Sequence, residues 1–204
     1  MKYLITGGAG FIGGHLAESL IKDGHSVTVI DNLSTGSEKN LSAVADSPNF
    51  DFVKGDILAL PELEYLISKS DMVFHLAAAV GVELVIHDPV LTIETNVHGT
   101  ERVLSGAKRK KTKVLIASTS EVYGKSQKEL FSEDDDLLIG PPKHSRWSYA
   151  SSKLLDEFLG IAYYRSMNMP VIIVRLFNTV GPRQTGQYGM VLPRFVSNAL
   201  TDKN

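Results

Sequence analysis

The feature that most constrains this chain is a glycine-rich turn near its start, where Gly7, Gly10 and Gly13 follow the apolar segment Lys2–Thr6. Glycine permits positive φ angles and lets other atoms approach the backbone closely. At the N-terminus of a helix, unpaired N–H groups and the helix dipole attract an anion such as a pyrophosphate. The spacing therefore predicts a strand, a tight turn and a helix that together bind a dinucleotide. The expected contacts in this segment are Gly7, Gly10, Phe11, Ile12 and Gly13.

An acidic residue, Asp31, directly follows the second apolar segment, Ser26–Ile30. A carboxylate at this place accepts hydrogen bonds from the adenosine ribose and repels a 2′-phosphate. The glycine turn and the acid together form a dinucleotide-binding pattern. We therefore predict NAD rather than NADP as the cofactor, held by Asp31 and its neighbour Asn32. The alternative is that Asp31 only caps the turn that begins at Asn32.

Short apolar segments alternate with segments of helical periodicity along the whole chain. The apolar segments are continuously hydrophobic, which is typical of strands buried on both faces of a parallel sheet. One apolar helical stripe runs through Ala150, Leu154, Phe158 and Ala162, and another runs through Ile93–Ala107. We predict an α/β fold, a doubly wound parallel sheet of Rossmann type in three αβα layers, forming one NAD-binding domain over residues 1–204. The six predicted strands are Lys2–Thr6, Ser26–Ile30, Phe50–Lys54, Met72–His75, Lys113–Ala117 and Val171–Arg175.

The composition argues against several classes of function. A formal net charge of −2 gives no electrostatic basis for nucleic-acid binding, and the basic run at 108–111 is interpreted as a solvated helix end. No apolar run approaches the ~20 residues needed to cross a bilayer. The chain has no cysteine, and the acidic run at 133–136 is interpreted as part of a loop over Lys125–Arg146, so no metal site is predicted. We expect a cytoplasmic protein without membrane or nucleic-acid partners.

A second group of residues has the types needed for proton transfer. Tyr149 and Lys153 are four residues apart on a predicted helix and therefore share a face, while Thr119 follows the fifth strand. Oxidation of a sugar hydroxyl requires removal of the O–H proton while the C–H hydride leaves for NAD. A phenol is mostly protonated at neutral pH, so the Lys153 ammonium and the nicotinamide are expected to favour tyrosinate. The alternative is a surface tyrosine with a lysine as its helical neighbour.

Taken together, the glycine turn, Asp31, Thr119 and the Tyr149–Lys153 pair resemble the extended short-chain dehydrogenases/reductases, specifically the nucleotide-sugar epimerase/dehydratase group. Further stretches that fit this group are Asp31–Gly36, His75–Ala79, Asn96–Thr100 and Phe177–Arg183. By this resemblance, the remaining cofactor contacts are Asp56, Ile57, Leu76, Ala77, Ala78, Asn96, Ser118, Tyr149 and Lys153, and the substrate contacts are Glu121, Asn178 and Arg183. The resemblance also implies a UDP-linked substrate, a homodimer and a small C-terminal substrate domain that this chain lacks. His75 is interpreted as a hydrogen-bonded residue at a strand end, not as a catalyst.

The resemblance does not point to a single reaction. Sugar 4,6-dehydratases carry Asp-Glu after the catalytic threonine, whereas this chain has Ser120 and Glu121. These residues, followed by Arg146-Trp147-Ser148-Tyr149, resemble UDP-glucuronate decarboxylases, but Gly186–Pro193 resembles bacterial UDP-glucose 4-epimerases. We predict 4-epimerisation of a UDP-hexose or UDP-hexuronate. Decarboxylation assisted by Ser120 and Glu121 is the closest alternative, and a non-catalytic NAD-binding module is the third.

Overall fold

The computed structural model describes residues 1–186 and 191–202. Six strands form one sheet in the order β3-β2-β1-β4-β5-β6, and every neighbouring pair is parallel. All six predicted strands are confirmed, although β2, β5 and β6 extend one or two residues further toward their carboxyl ends than predicted. The strands are β1 Lys2–Thr6, β2 Ser26–Asp31, β3 Phe50–Lys54, β4 Met72–His75, β5 Lys113–Thr119 and β6 Val171–Leu176.

The order of the strands creates a switch point between β1 and β4, which are neighbours in the sheet although β2 and β3 separate them in sequence. Thr6 and His75 are paired there, at the carboxyl ends of the two strands. In an open parallel sheet, ligands bind outside the carboxyl ends of the strands at such a point. The fold therefore provides a crevice bordered by the segments that follow β1, β4 and β5.

Helices cover both faces of the sheet. Leu4 and Ile5 are consecutive residues of β1, and both are fully buried, but in different clusters. Leu4 packs with Ile67 and Val103 on one face, whereas Ile5 packs with Ala17 on the other. Because side chains alternate along a strand, this division confirms the three predicted layers. The helices are α1 Phe11–Lys22, α2 Leu63–Lys69, α3 Val82–His87, α4 Pro89–Lys108, α5 Arg146–Met167 and α6 Val191–Leu200.

The buried face of α5 differs from the predicted apolar stripe. Ala150 is buried, but Phe158 is 62% exposed and Ala162 also faces solvent. The face turned toward α4 and β5 instead carries Lys153, Asp156 and Glu157. The stripe prediction was therefore wrong for this helix, because three ionisable residues pair with groups inside the fold while apolar residues remain outside.

The predicted loop ends one residue before Arg146, where α5 begins. Its acidic run is largely exposed, and Asp135 pairs with Lys128. The basic run at 108–111 is exposed at the end of α4, as predicted. Over the described ranges, no helix combines the length and apolar character that a bilayer crossing requires.

Candidate active site

The turn after β1 has the predicted geometry. Gly7 has a φ of +72°, its N–H donates to the Ile30 carbonyl at 2.8 Å, and its carbonyl accepts from the Gly10 N–H at 3.2 Å. Gly10 is the N-cap of α1 and has no side chain that could cap the helix. The N–H groups of the first helical residues, Phe11, Ile12 and Gly13, therefore have no side-chain cap from the N-cap position and are suited to bind an anion.

The three glycines are required for different reasons. A Cβ at Gly7 would lie 2.6 Å from the Ala77 backbone nitrogen, and one at Gly13 would lie 2.5 Å from the Gly8 Cα. A Cβ at Gly10 would meet only the Gly7 carbonyl oxygen, at 3.2 Å. Gly7 and Gly13 are therefore needed for packing within the protein. Gly10 leaves a nearly open position, which fits close approach of a pyrophosphate.

Asp31 lies at the end of β2, buried, and both of its carboxylate oxygens accept hydrogen bonds from the backbone. Oδ2 accepts from the Ala9 N–H at 2.9 Å and Oδ1 from the Leu33 N–H at 2.8 Å. Burial raises its pKa, and these two hydrogen bonds oppose the rise. Asp31 thus fastens the glycine turn to the segment after β2, as the turn-capping alternative requires. Each carboxylate oxygen retains a lone pair for a ribose hydroxyl, so the cofactor contact stays a prediction.

The neighbouring positions at the ends of β2 and β3 are held together by side chains. The Asn32 amide donates to Asp56 at 3.1 Å, and the other Asp56 oxygen accepts from the Leu58 N–H at 2.8 Å. Ile57, in contrast, is buried in the core cluster that includes Leu63. Only the backbone of Ile57 is available to a cofactor, because its side chain packs inside the protein.

Leu76, Ala77 and Ala78 follow β4 and are partly exposed at the crevice. This segment is held from behind by Asn96, whose side-chain oxygen accepts from the Ala79 N–H at 2.8 Å and whose amide donates to the Ser152 hydroxyl at 3.0 Å. Asn96 is 1% exposed. It therefore supports the wall of the crevice, and its contact with the cofactor stays a prediction.

Thr119 and Tyr149 are brought together as predicted. The Thr119 side chain hydrogen-bonds the Tyr149 hydroxyl, and its oxygen also accepts from the Glu121 N–H at 3.2 Å. Ser120 and Glu121 begin a short 3-10 helix, Ser120–Tyr123, at the end of β5. The hydroxyl pair lies at the carboxyl edge of the sheet, where a sugar hydroxyl beside the nicotinamide is expected.

The charges around the pair differ from the expectation. The pKa of Tyr149 is raised well above its ordinary value by burial and by the Glu121 carboxylate, with only Thr119 opposing the rise. Desolvation raises the pKa of Glu121, although the residue as a whole is exposed at the mouth of the crevice, and Arg146 opposes that rise. The protein alone therefore holds Tyr149 protonated.

Lys153 explains part of this result. Its Nζ donates to Asp156 Oδ2 at 2.7 Å, and the two side chains are 2% and 0% exposed. The ammonium is thus paired within the protein, and its expected roles, favouring tyrosinate and contacting the cofactor, stay predictions. Sequence reasoning missed Asp156, although a carboxylate three residues after a lysine on one helix face is a visible signal.

Comparison with known proteins identifies the chain at this point. The sequence profile of the GDP-mannose 4,6-dehydratase family matches residues 4–204. The chain belongs to the nucleotide-sugar epimerase/dehydratase family of extended short-chain dehydrogenases. It is 47% identical over 200 residues to a UDP-N-acetyl-α-D-glucosaminuronate decarboxylase of Bacillus cytotoxicus, covering 98% of the chain and 61% of that relative. It is 37% identical to UDP-glucuronic acid decarboxylase 1 of Xenopus tropicalis, covering 98% of the chain and 46% of that relative.

Solved structures show the same likeness. A UDP-N-acetylglucosamine 4-epimerase from Methanobrevibacter ruminantium superposes with a TM-score of 0.90 at 31% identity, covering 100% of the chain and 64% of that protein. A UDP-glucuronic acid 4-epimerase from Bacillus cereus, solved with UDP-glucuronic acid and NAD, superposes with a TM-score of 0.88 at 32% identity and the same coverage. The chain thus spans roughly half to two thirds of the length of these family members.

Two residues that the family resemblance placed at ligands have other partners. The Ser118 hydroxyl donates to Glu157 Oε1 at 2.5 Å, and Arg175 binds the same carboxylate through Nε at 3.0 Å and a terminal nitrogen at 2.8 Å. Ser118 therefore joins β5 to α5, and its contact with the cofactor stays a prediction. Glu157 and Arg175 were not foreseen, because an ion pair between a helix and a separate strand leaves no spacing pattern in the sequence.

Arg183 is turned toward α1. Its guanidinium donates to Glu18 at 2.5 and 3.1 Å, to the Asn40 carbonyl at 3.0 Å, and lies 2.6 Å from His15 Nδ1. We refer to Arg183, His15 and Glu18 as the α1 clasp. The guanidinium of Arg183 is thus bound by side chains of α1, and its contact with the substrate stays a prediction. Asn178 is exposed after β6 and its substrate contact stays a prediction. Four residues of the predicted Gly186–Pro193 stretch, 187–190, lie outside the described residues.

Proposed function

We propose that this chain is the NAD-binding part of an enzyme that decarboxylates a UDP-linked hexuronate through a transient keto-sugar. The observation that carries the proposal is the Thr119–Tyr149 hydrogen bond beside Glu121, at the sheet edge that the glycine turn also borders. This arrangement suits oxidation of a sugar hydroxyl followed by chemistry that needs an acid. We also propose that residues 1–204 form one domain, because all six strands belong to one sheet.

The site fits NAD. Gly10 leaves room beside the uncapped N-terminus of α1, and Asp31 and the Asn32–Asp56 pair lie at the adenosine end of the same edge. When bound, NAD would accept a hydride from a ring carbon of the sugar and return it later in the cycle. Several family members of similar fold were solved with NAD, which supports this choice.

The residues of the chain divide the proton transfers. Tyr149, once its phenol has lost its own proton, would take the proton of the sugar hydroxyl, while Thr119 would hold the same oxygen by a hydrogen bond. The resulting ketone lies β to the substrate carboxylate, so the bond to carbon dioxide can break with its electron pair delocalised onto the ketone oxygen. Glu121, whose pKa is raised, would then supply a proton to the carbon that lost the carboxylate.

Decarboxylation replaces epimerisation as the favoured reaction for two reasons. The chain has Ser120 where dehydratases of the family have an aspartate, and it retains an acid, Glu121, that simple epimerisation does not need. The relatives with 47% and 37% identity are both hexuronate decarboxylases. Epimerisation of a UDP-hexuronate is the second candidate, supported by the superposition on the UDP-glucuronic acid 4-epimerase.

The test is to incubate the whole enzyme that contains this chain, with NAD, separately with UDP-glucuronate, UDP-N-acetylglucosaminuronate and UDP-glucose. We expect a product lighter by one carbon dioxide from a hexuronate. A hexuronate product of unchanged mass but altered stereochemistry would establish epimerisation instead. If NAD binds and every sugar remains unchanged, the chain is a non-catalytic NAD-binding module.

We also propose a homodimer formed through α4 and α5, in a cytoplasmic protein. The two helices pack against each other, and each carries exposed apolar side chains: Val90, Leu91 and Ile93 on α4, and Leu155, Phe158 and Ile161 on α5. A two-fold interface uses the same patch on both copies, and two packed helices with an apolar outer face suit that arrangement. Light scattering should give a dimer mass for the unaltered protein and a monomer for Phe158→Glu. A dimer in both would exclude this surface.

A further inference from the structure

The ion pair between Lys153 and Asp156 is part of a buried polar connection across the fold. His75 at the end of β4 hydrogen-bonds Thr6 through Nδ1 at 2.7 Å and Thr100 through Nε2 at 3.1 Å. The Thr100 hydroxyl in turn hydrogen-bonds Asp156. Burial raises the pKa of that carboxyl, and the interactions with Lys153 and Thr100 oppose the rise. All five side chains are at most 2% exposed. Lys153 is therefore connected to the sheet through the Asp156 carboxylate.

This connection has an energetic cost. Asp156 Oδ1 is buried and accepts no hydrogen bond from any described residue. An unsatisfied buried acceptor costs about 1–3 kcal/mol, and a buried ion pair is often no better for stability than apolar residues of the same size. A gain in stability therefore does not by itself account for a carboxylate at this place.

The surrounding charges show what the carboxylate controls. The pKa of Tyr149 is raised by burial, by Glu121 and by Asp156, in that order. The Lys153 ammonium does not counter this rise. From β4, His75 faces the same ammonium, and its pKa is lowered to about 3 by burial and by Lys153, so it is neutral there. The last acid on this face, Glu157, is paired with Arg175.

We propose that Asp156 is a positioning residue: it holds the ammonium of Lys153 toward α4 and so withholds the positive charge that would ionise Tyr149. The role of Tyr149 as the base rests on the proposed function, but the placement of the ammonium does not. Asp156 thereby sets the acidity of the phenol through Lys153, and Tyr149 remains protonated until another group draws the ammonium away from Asp156.

The experiment measures tyrosinate absorbance of the 204-residue chain against pH, without cofactor or substrate. Each variant is compared with the same variant that also carries Tyr149→Phe. The difference between the two absorbance curves gives the ionisation of Tyr149 alone. In the unaltered chain we expect no ionisation of Tyr149 below about pH 11. Asp156→Asn should lower its pKa by about one unit or more, as a freed opposite charge nearby does. Asp156→Glu, which keeps the charge, should titrate like the unaltered chain.

A neutral pair, Lys153→Met with Asp156→Leu, separates the proposal from a direct effect of the carboxylate and does not depend on the folding of Asp156→Asn. Replacement of a buried ion pair by apolar residues is tolerated in many proteins. We expect Tyr149 of the neutral pair to stay protonated to about pH 11, because no unpaired ammonium is left near the phenol. Ionisation in the neutral pair, or an unchanged titration in folded Asp156→Asn, would overturn the proposal. Failure of every UDP-sugar assay would leave these titrations unaffected and would count only against the proposed function.

Discussion

The turn after β1 and the inner face of α5 border the same crevice, but different interactions hold them. In the turn, Gly7 and Gly13 are required by backbone atoms only 2.5–2.6 Å from where a Cβ would lie. On α5, Lys153 and Glu157 are held by ion pairs with 2.7 and 2.8 Å contacts between buried side chains. The cofactor side is therefore shaped by sterics, which do not change with pH, whereas the chemical side is shaped by charges, which do. Mutations should affect the two sides in different ways.

The largest effect should come from the chemical side. Tyr149→Phe removes only the hydroxyl that accepts the sugar proton, so the turnover rate should fall about 10²–10⁴-fold, while NAD affinity changes little. The measurement is initial rate on the accepted UDP-sugar together with an NAD titration. Tyr164→Phe, on the exposed part of the same helix, is the matched control and should leave both unchanged. Comparable turnover by Tyr149→Phe would refute the assignment of the base.

The next effect separates ligand space from packing on the cofactor side. Gly10→Val should weaken NAD binding by about 100-fold or more with little change in melting temperature, because the added side chain occupies the expected place of the pyrophosphate. Gly13→Val should lower both the NAD affinity and the melting temperature, since the valine side chain would collide with the backbone of Gly8. Calorimetric titration and thermal unfolding measure the two quantities. Unimpaired NAD binding by Gly10→Val would mean that no pyrophosphate lies there.

A smaller effect concerns the pH dependence of stability at His75, where the two sides meet. Its pKa is about 3 in the folded chain and 6.5 when unfolded, so the unfolded chain binds the additional proton between these values. Stability from this group is complete above pH 6.5 and is lost as the pH falls toward 3, by several kcal/mol in order of magnitude. His75→Gln should flatten the free energy of unfolding over that window, whereas His98→Gln, at the surface, should not. Equal slopes for the two variants would contradict a buried neutral His75.

The smallest effect should be that of Asp31 on cofactor choice. Asp31→Asn removes the charge that repels a 2′-phosphate, so the preference for NAD over NADP should narrow by about 1–2 kcal/mol. Dissociation constants for both cofactors measure the change, with Asp51→Asn in the exposed part of β3 as the control. If the unaltered chain binds NAD and NADP equally, Asp31 serves only to fasten the turn.

The same contrast explains how much could be predicted from the sequence. The glycine turn and the six strands depend on local patterns, and the structure agrees with them to within two residues at each strand end. The partners of Lys153, Ser118 and Arg183 could not be read in this way. Lys153 was assigned from its chemistry, and Ser118 and Arg183 from the family resemblance. Within the fold, each of them is also engaged by ion pairs or hydrogen bonds. Periodicity failed on α5 for the same reason, since pairing let charged residues take the inner face.

The α1 clasp has a practical consequence for anyone exchanging parts between family members. The segment after β6 is packed against α1 although the two are far apart in sequence. Arg183 binds Glu18 and His15, and a Cβ added at Gly181 would lie 2.9 Å from the Phe11 ring. A chimera that grafts a new substrate loop onto this scaffold must therefore bring matching residues on α1. The unit of exchange is a pair of segments more than 160 residues apart in sequence, as the separation of Arg183 and Glu18 indicates.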